Sequence, residues 1–110
     1  MYKASAPKVE EAFSKISAEV FDGLLDLSDI DILDISDMDT EYGFCFEEDR
    51  KIIFGIRTFF PNKTEFRETI CHEMVHLYQI LNGYKVDHGS NFSKFVTHAR
   101  KFGYEISNSS

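Results

Sequence analysis

Two histidines and a glutamate lie together in the pentapeptide His72-Glu73-Met74-Val75-His76. This H-E-x-x-H spacing is typical of helices that bind zinc. Four residues advance a helix by about 400°, so His76 would lie one turn beyond His72 and close to the same face, and both imidazoles would reach one metal ion. Glu73 would lie about 100° around the helix from His72, where it can accept a proton from water without replacing it as a ligand. The pattern therefore predicts Zn²⁺ bound by His72 and His76, with Glu73 as a general base.

Two histidines remain as candidates for a third ligand. A catalytic zinc site commonly has three protein ligands and an open position for water. His88 lies in a predicted loop, after a turn at Gly83 that could bring the chain back towards the histidine pair. His98 lies in the next predicted helix. The residues alone leave this choice open.

The elements that position these residues follow from hydrophobic periodicity. We predict helices over residues 8–22 and 64–82, the second capped by Asn62 or Thr64, and a third helix that Ser90 caps before Gly103. In the second helix the large apolar residues fall in an arc about 120° to 200° from His72. They are Phe66, Ile70, Met74, Leu77 and Leu81. The predicted core face and site face therefore adjoin.

Alternating residues between the first two helices predict strands. The stretch 29–32 alternates Asp with Ile, and residues 42–56 have the pattern of a β-hairpin with a polar turn at 47–50. A calcium loop is not predicted from the Asp-rich segment 22–39, because counting from Asp29 puts Asp34 where an EF-hand requires glycine. The predicted fold class is α+β: an N-terminal helix, a small three-stranded antiparallel or mixed sheet, the H-E-x-x-H helix and a C-terminal helix.

Length and composition favour a single domain over residues 1–110, with a polar tail at 107–110. The formal net charge of −7 argues against a protein whose whole surface binds phosphates. Cys45 and Cys71 are too few for a disulfide framework and fit a reducing compartment. The sequence contains no signal-peptide h-region and no apolar run long enough to span a membrane. We expect a soluble, cytoplasmic protein, and the sequence leaves its oligomeric state open.

A family resemblance covers the motif and the segment that follows it. After His72–His76 the sequence continues through Leu81-Asn82-Gly83 to His88-Gly89-Ser90-Asn91-Phe92. It resembles the SprT-like (Spartan-type) metallopeptidases, in which H-G-x-x-F follows the H-E-x-x-H helix and supplies the third zinc ligand. The resemblance implies a zincin-like fold, Zn²⁺ bound by His72, His76 and His88, Glu73 as the general base, and supporting roles for Gly89 and Phe92. His98 or Glu105 stay as alternative third ligands.

The resemblance also implies a function and its partners. It implies a metallopeptidase that hydrolyses peptide bonds in DNA-associated proteins, and association with DNA is an expectation from the family alone. A free edge of the predicted hairpin beside the helix would let an extended substrate pair with it through the backbone, which suits flexible protein substrates. Many members continue into a zinc ribbon with paired cysteines, whereas this sequence ends at Ser110, so we expect a minimal form. The basic residues Lys94, Arg100 and Lys101 are interpreted as a solvated helix face.

Other interpretations of the motif stay open at this point. The chain could be a zinc-stabilised binding module without catalysis, or a regulatory H-E-x-x-H peptidase of another zincin family. For a peptidase, candidate donors to the oxyanion are Tyr84, His98, Arg100 and Tyr104.

Overall fold

The computed structural model describes residues 1–107, so the predicted polar tail lies outside the described residues except for Ser107. Three α-helices and five short strands are found in that range. In chain order they are β1 (Tyr2–Lys3), α1 (Ala6–Val20), a 3₁₀ helix (Leu27–Asp29), β2 (Ile32–Ser36), β3 (Gly43–Glu48), β4 (Lys51–Arg57), β5 (Phe59–Phe60), α2 (Lys63–Leu81) and α3 (Ser90–Arg100). The predicted α+β class is confirmed.

The main sheet is three-stranded and mixed, as predicted. Its order is β2-β4-β3, with β2 parallel and β3 antiparallel to the central strand β4. A second sheet pairs β1 with β5 in antiparallel fashion. The sequence did not reveal β1 and β5, because two residues are too few to show a period-2 pattern.

The hairpin of β3 and β4 turns later than predicted. Asp49 and Arg50 form a two-residue turn with φ of 51° and 64°, whereas Glu47 and Glu48 belong to β3. Positive φ at both central residues is the type I′ geometry that suits the twist of a hairpin. In this register Phe46 faces Ile53, and Cys45 faces Phe54. The predicted four-residue turn at 47–50 was therefore wrong.

That register separates the two apolar sets of the hairpin. Ile52, Phe54 and Ile56 are buried towards the helices, whereas Phe46 is 41% exposed on the opposite face of the sheet. A one-residue change of register exchanges the faces of a strand, so the position of the turn decides which side chains enter the core. Cys45 is consequently the buried member of β3.

The strand predicted at 29–32 was also wrong in its position. Residues 27–29 form the 3₁₀ helix, and β2 begins only at Ile32. Asp26 accepts a hydrogen bond from the Ser28 N–H, and Asp29 accepts one from the Asp26 N–H, so these side chains satisfy a helix start. Asp31 accepts from the Ile52 N–H at 2.7 Å. These aspartates accept hydrogen bonds from backbone N–H groups and do not form the polar face of a strand.

The helices follow their predicted stripes, with differences at their ends. Asn62 caps α2 by accepting from the Glu65 N–H. The apolar residues that recur at helical spacing in α1 are all buried, and they are Val9, Ala12, Phe13, Ile16 and Val20. Leu81, the last residue of α2, is 42% exposed because the core ends before it. Ser90 is the first residue of α3 rather than its cap, a position that Gly89 occupies. Phe102 lies beyond the end of α3 and is 41% exposed.

The central helix α2 packs against both other helices and against the sheet, mainly through β3. Gly43 allows this approach, since a Cβ there would lie 2.8 Å from the Gly55 carbonyl oxygen and 3.0 Å from Thr69 Cγ2. The same Cβ would lie 3.3 Å from Glu73 Cγ. A glycine at the start of β3 therefore brings the strand against the site face of α2. Within residues 1–107, no helix combines the length and apolarity that crossing a membrane requires.

Candidate metal centre and its cleft

Three histidines from two parts of the chain converge on one point. His72 and His76 lie on successive turns of α2, and His88 lies in the loop before α3. The Nε2 atom of His88 is 3.1 Å from Nε2 of His76 and 3.3 Å from Nε2 of His72. Within residues 1–107 this trio is the one group of three or more His, Cys, Asp or Glu side chains close enough to share a metal ion.

The spacing of these nitrogen atoms fits a tetrahedral metal. Imidazole nitrogens that bind zinc at about 2.0–2.1 Å in tetrahedral directions lie about 3.3 Å from one another. The separations of 3.1 Å and 3.3 Å come within a few tenths of an ångström of that value. The donor set is therefore suited to a cation such as Zn²⁺, with one tetrahedral position left for a non-protein ligand.

The tautomer of His76 is set by Gln79, which is fully buried. The Gln79 amide nitrogen donates to the Asp87 carbonyl at 3.1 Å and to Asn91 Oδ1 at 2.5 Å. Because the amide nitrogen faces two acceptors, its oxygen faces Nδ1 of His76 at 2.8 Å and accepts from that N–H. The lone pair of His76 is then on Nε2, directed towards the other histidines.

His72 is oriented by the backbone of the C-terminal segment. Its ring donates to the backbone carbonyl of Ser107, a contact that partly offsets the effect of burial on its pKa. Burial first, and then the neighbouring His76 and His88, lower the pKa of His72 to about 4. The pKa of His76 is also lowered, chiefly by burial. Both rings are thus neutral near pH 7, the form that binds a metal.

The loop that carries His88 is held to α2 from both sides. Gln79 binds its Asp87 carbonyl and the Asn91 side chain, while Asp87 Oδ1 accepts from the Gly89 N–H at 3.0 Å. The buried Phe92 ring lies 4.9–5.1 Å from all three imidazole rings. These hydrogen bonds hold His88 in place, and the Phe92 ring packs against the three imidazole rings.

Glu73 lies beside the trio at the junction of α2 and β3. Its side chain is 6% exposed and lines the cleft described next. Burial, and to a lesser extent the charge of Glu41, raise the pKa of Glu73 to about 8. A carboxylate with a pKa near neutrality can both take up and release a proton at physiological pH.

An open cleft of about 640 Å³ lies over the histidines, with α2 on one side and β3 on the other. Gly43, Phe44 and Cys45 contribute the strand wall. Segments 86–88 and 105–107 close the remaining sides. The metal site is therefore accessible from outside, as an enzyme site must be for its substrate.

The alternative third ligands lie elsewhere. His98 lines a different pocket next to Phe21 and Tyr78. Glu105 reaches the cleft wall, but both of its carboxylate oxygens lie 3.1 Å from Nε of Arg100. His88 is the residue that joins His72 and His76.

The four predicted oxyanion donors do not line the cleft. Tyr84 is 46% exposed, and Tyr104 donates to Glu19 at 2.5 Å on another side of α2. His98 lines another pocket, and Arg100 is paired with Glu105. Tyr42 is the tyrosine in the cleft wall, and its hydroxyl bonds to Glu65. Tyr42 lies outside the motif region, so no pattern in the sequence singled it out.

A comparison with protein-family models matched the chain over residues 9–109 to the SprT-like family. The chain belongs to the SprT-like family. Since the match covers nearly the whole chain, it includes the sheet and α1 as well as the histidine motif, and it confirms the resemblance seen in the sequence. The zincin-like fold predicted for this SprT-like chain is likewise confirmed. A search of the curated proteins gave no match to the chain.

The sequence did not identify the residues that orient the ligands. Gln79 lies three positions after His76 and so on a nearby face of α2, a spacing that could have indicated a contact. The acceptor for His72 is the main chain of Ser107, and a backbone carbonyl has no sequence signature.

Proposed function

We propose that this SprT-like chain is a zinc-dependent metalloendopeptidase that hydrolyses peptide bonds in flexible protein segments. The observation that carries the proposal is the convergence of three Nε2 atoms beside the buried carboxylate of Glu73 in an open cleft. Family membership supports a metallopeptidase-type domain. The DNA-associated proteins that the family resemblance suggests are included among the proposed substrates.

The proposed roles follow from the positions of the side chains. His72, His76 and His88 hold Zn²⁺, which when bound supplies a Lewis acid that polarises a carbonyl group and acidifies water. Glu73 accepts the proton of the attacking water and then gives it to the departing amine. Burial raises the pKa of Glu73 to about 8 in the absence of a metal, and a bound cation beside it would favour the ionised carboxylate that accepts the proton.

The wall of the cleft suggests how a peptide binds. β3 is an edge strand whose partner strand within residues 1–107 is β4, and its Gly43–Cys45 segment lines the cleft. An extended peptide can add to such an edge through main-chain hydrogen bonds, which depend little on sequence. A segment must be unfolded to pair in this way, so we propose that flexible regions are cleaved.

The test compares cleavage of a flexible protein such as casein by zinc-loaded wild type and by the Glu73→Gln variant. We expect Glu73→Gln to reduce the rate about 10²–10⁴-fold, the usual contribution of a general base. Its zinc content and melting temperature should match the wild type. Glu10→Gln, at an exposed position of α1, is the matched control and should retain full activity.

Two results would contradict the proposal. Equal activity of wild type and Glu73→Gln would remove Glu73 from the mechanism. Stoichiometric zinc, a melting temperature that falls on chelation, and no cleavage of any flexible protein would instead support a zinc-stabilised binding module.

A further inference from the structure

A second pocket lies between α1 and the first turns of α2. Its volume is about 290 Å³, and none of the residues that line it also lines the cleft over the histidines. Four cationic side chains line this pocket, two from each helix, and they are Lys8, Lys15, Lys63 and Arg67. Among the described residues, Glu11 is the only acidic one in the lining. The pocket therefore concentrates positive charge in a chain whose formal net charge is −7.

The spacing of these cations along the two helices makes them repel one another. Lys8 and Lys15 are seven residues apart on α1, which places them close to one face and two turns apart. Lys63 and Arg67 are four residues apart on α2, a spacing at which like charges are destabilising. An anion bound between the two helices would replace this repulsion by attraction.

The cations of the pocket have no carboxylate partner. None of the four forms an ion pair within residues 1–107, and the half-buried guanidinium of Arg67 has no hydrogen-bond acceptor there. Burial and the hydrogen bond to Glu19 raise the pKa of Tyr104, and the charge of Arg67 opposes that rise, so Arg67 lies near the Tyr104 ring. A partly buried charge without a partner favours an added oxyanion, because leaving it unpaired costs free energy.

Lys8 is held beside the pocket by the N-terminal segment. Its Nζ atom donates to the Lys3 carbonyl at 2.7 Å and lies 4.6 Å from the centre of the Tyr2 ring. Tyr2 packs in turn against Phe66, with ring centroids 4.9 Å apart. The bond to Lys3 uses one of the three N–H groups of the ammonium ion, so the others are available to an anion.

The shape of the pocket favours a compact ligand. The cations line a bounded space between two helices, whereas a long polyanion needs a stripe of cations along the surface. The net charge of −7 would also repel a long polyanion from the rest of the molecule. Lys8 and Lys15 are about 10 Å apart along α1, a length that suits a short chain of phosphate groups better than a single one. Guanidinium and ammonium groups both bind phosphate.

We propose that this pocket binds a compact ligand with two or three linked phosphate groups, held by Lys63 and Arg67 on α2 and by Lys8 and Lys15 on α1. Inorganic tripolyphosphate and the phosphate chain of a nucleoside triphosphate offer the same chemistry. The pocket and the cleft have no lining residue in common, so this binding does not depend on the proposed peptidase activity.

Isothermal titration calorimetry of the zinc-loaded protein measures the binding of tripolyphosphate, adenosine triphosphate, inorganic phosphate and citrate. We expect one tripolyphosphate per chain, bound at least about tenfold more tightly than phosphate or citrate. Tighter binding of adenosine triphosphate than of tripolyphosphate would support the proposal with a nucleotide as the source, and the reverse order would support it with free polyphosphate. The affinity should fall as the salt concentration rises, since the contacts are electrostatic.

Matched variants assign the binding to this pocket. Lys63→Gln combined with Arg67→Gln should weaken the binding of tripolyphosphate about ten- to hundredfold, because charge-assisted hydrogen bonds are lost. Lys94→Gln combined with Lys101→Gln removes as much charge outside the pocket and should leave the affinity nearly unchanged. Zinc content and melting temperature show that each variant is folded. A titration of the metal-free protein should give the same affinity, which separates the pocket from the metal site.

Several outcomes would overturn the proposal. The first is a failure of all the phosphate probes to bind. Binding that survives Lys63→Gln and Arg67→Gln, or that disappears when zinc is removed, would place the anion elsewhere. Equal affinities for citrate and tripolyphosphate would contradict the assignment to phosphate. A single-stranded oligonucleotide that binds more tightly than the compact phosphates through Lys63 and Arg67 would contradict the assignment to a compact ligand. Each of these results leaves the test of the peptidase function unaffected.

Discussion

The core face and the site face of α2 are both largely buried, but different interactions hold them. On the core face, Phe66, Ile70 and Leu77 are no more than 1% exposed and belong to the apolar core. On the site face, His76 and Gln79 are at most 7% exposed and form hydrogen bonds that join α2 to the loop before α3 and to Asn91 in the first turn of α3. Apolar burial is stabilising by itself, whereas buried polar groups need partners to avoid a cost.

This difference indicates which face of α2 a bound metal should stabilise. The core face should stabilise the protein whether or not zinc is present. The site face holds neutral imidazoles whose lone pairs converge, so a bound cation should add stability there by mass action. Each of the following changes tests this division of α2.

The largest effect is expected for Leu77→Ala on the core face. Truncating a fully buried leucine removes transfer free energy and leaves a cavity, which lowers the free energy of unfolding by about 2–5 kcal/mol. Urea titrations with and without zinc should show the same loss. Leu24→Ala, at a residue 69% exposed, is the control and should change stability by less than about 0.5 kcal/mol. A loss of stability seen only with zinc would contradict the expectation that the core face stabilises the protein independently of the metal.

His88→Ala should remove the stabilisation by zinc while nearly preserving the metal-free protein. A ligand at one hundred times its dissociation constant stabilises by about 2.7 kcal/mol, and we expect that increment to disappear. Metal analysis after dialysis, together with urea titrations, measures both quantities. His98→Ala removes a histidine outside the cleft and should leave zinc binding unchanged. Retention of stoichiometric zinc by His88→Ala would place the third ligand elsewhere.

Gln79→Leu tests whether the site face depends on the hydrogen bond to His76. Losing the group that orients a metal-binding histidine costs about 10–100-fold in metal affinity, although all three ligands remain. Competition with a chromophoric chelator would measure the change. Asn91→Ala leaves the bond between Gln79 and His76 intact and should have a smaller effect. An unchanged affinity in Gln79→Leu would mean that packing alone orients the ring.

The smallest effect is expected at the start of α2, away from both faces. Asn62→Ala removes the side chain that accepts from the Glu65 N–H at 2.9 Å and should lower stability by about 1 kcal/mol. The loss should be equal with and without zinc in thermal unfolding. Asn62→Asp keeps the cap and should retain nearly full stability. A metal-dependent loss would show that the first turn of α2 is coupled to the site.

The local features of this protein could be predicted from the order of its residues. Helical periodicity located α1 and α2 to within two residues, and the spacing of His72 and His76 placed both rings on one face, because a helix repeats every 3.6 residues. The alternation of residues 42–56 indicated a hairpin, although only its register showed that Phe46 faces away from the core.

Features that depend on contacts between residues far apart in the chain became visible only in the folded protein. Gln79 of α2 donates a hydrogen bond to Asn91, just after the loop that carries His88. His72 donates to the carbonyl of Ser107, which lies far from it in the sequence. The pairing of β3 with β4 and the approach permitted by Gly43 then place a strand along Glu73. Hydrophobic periodicity reflects only residues that are close along the chain. A cleft and its charge arise from segments that folding brings together.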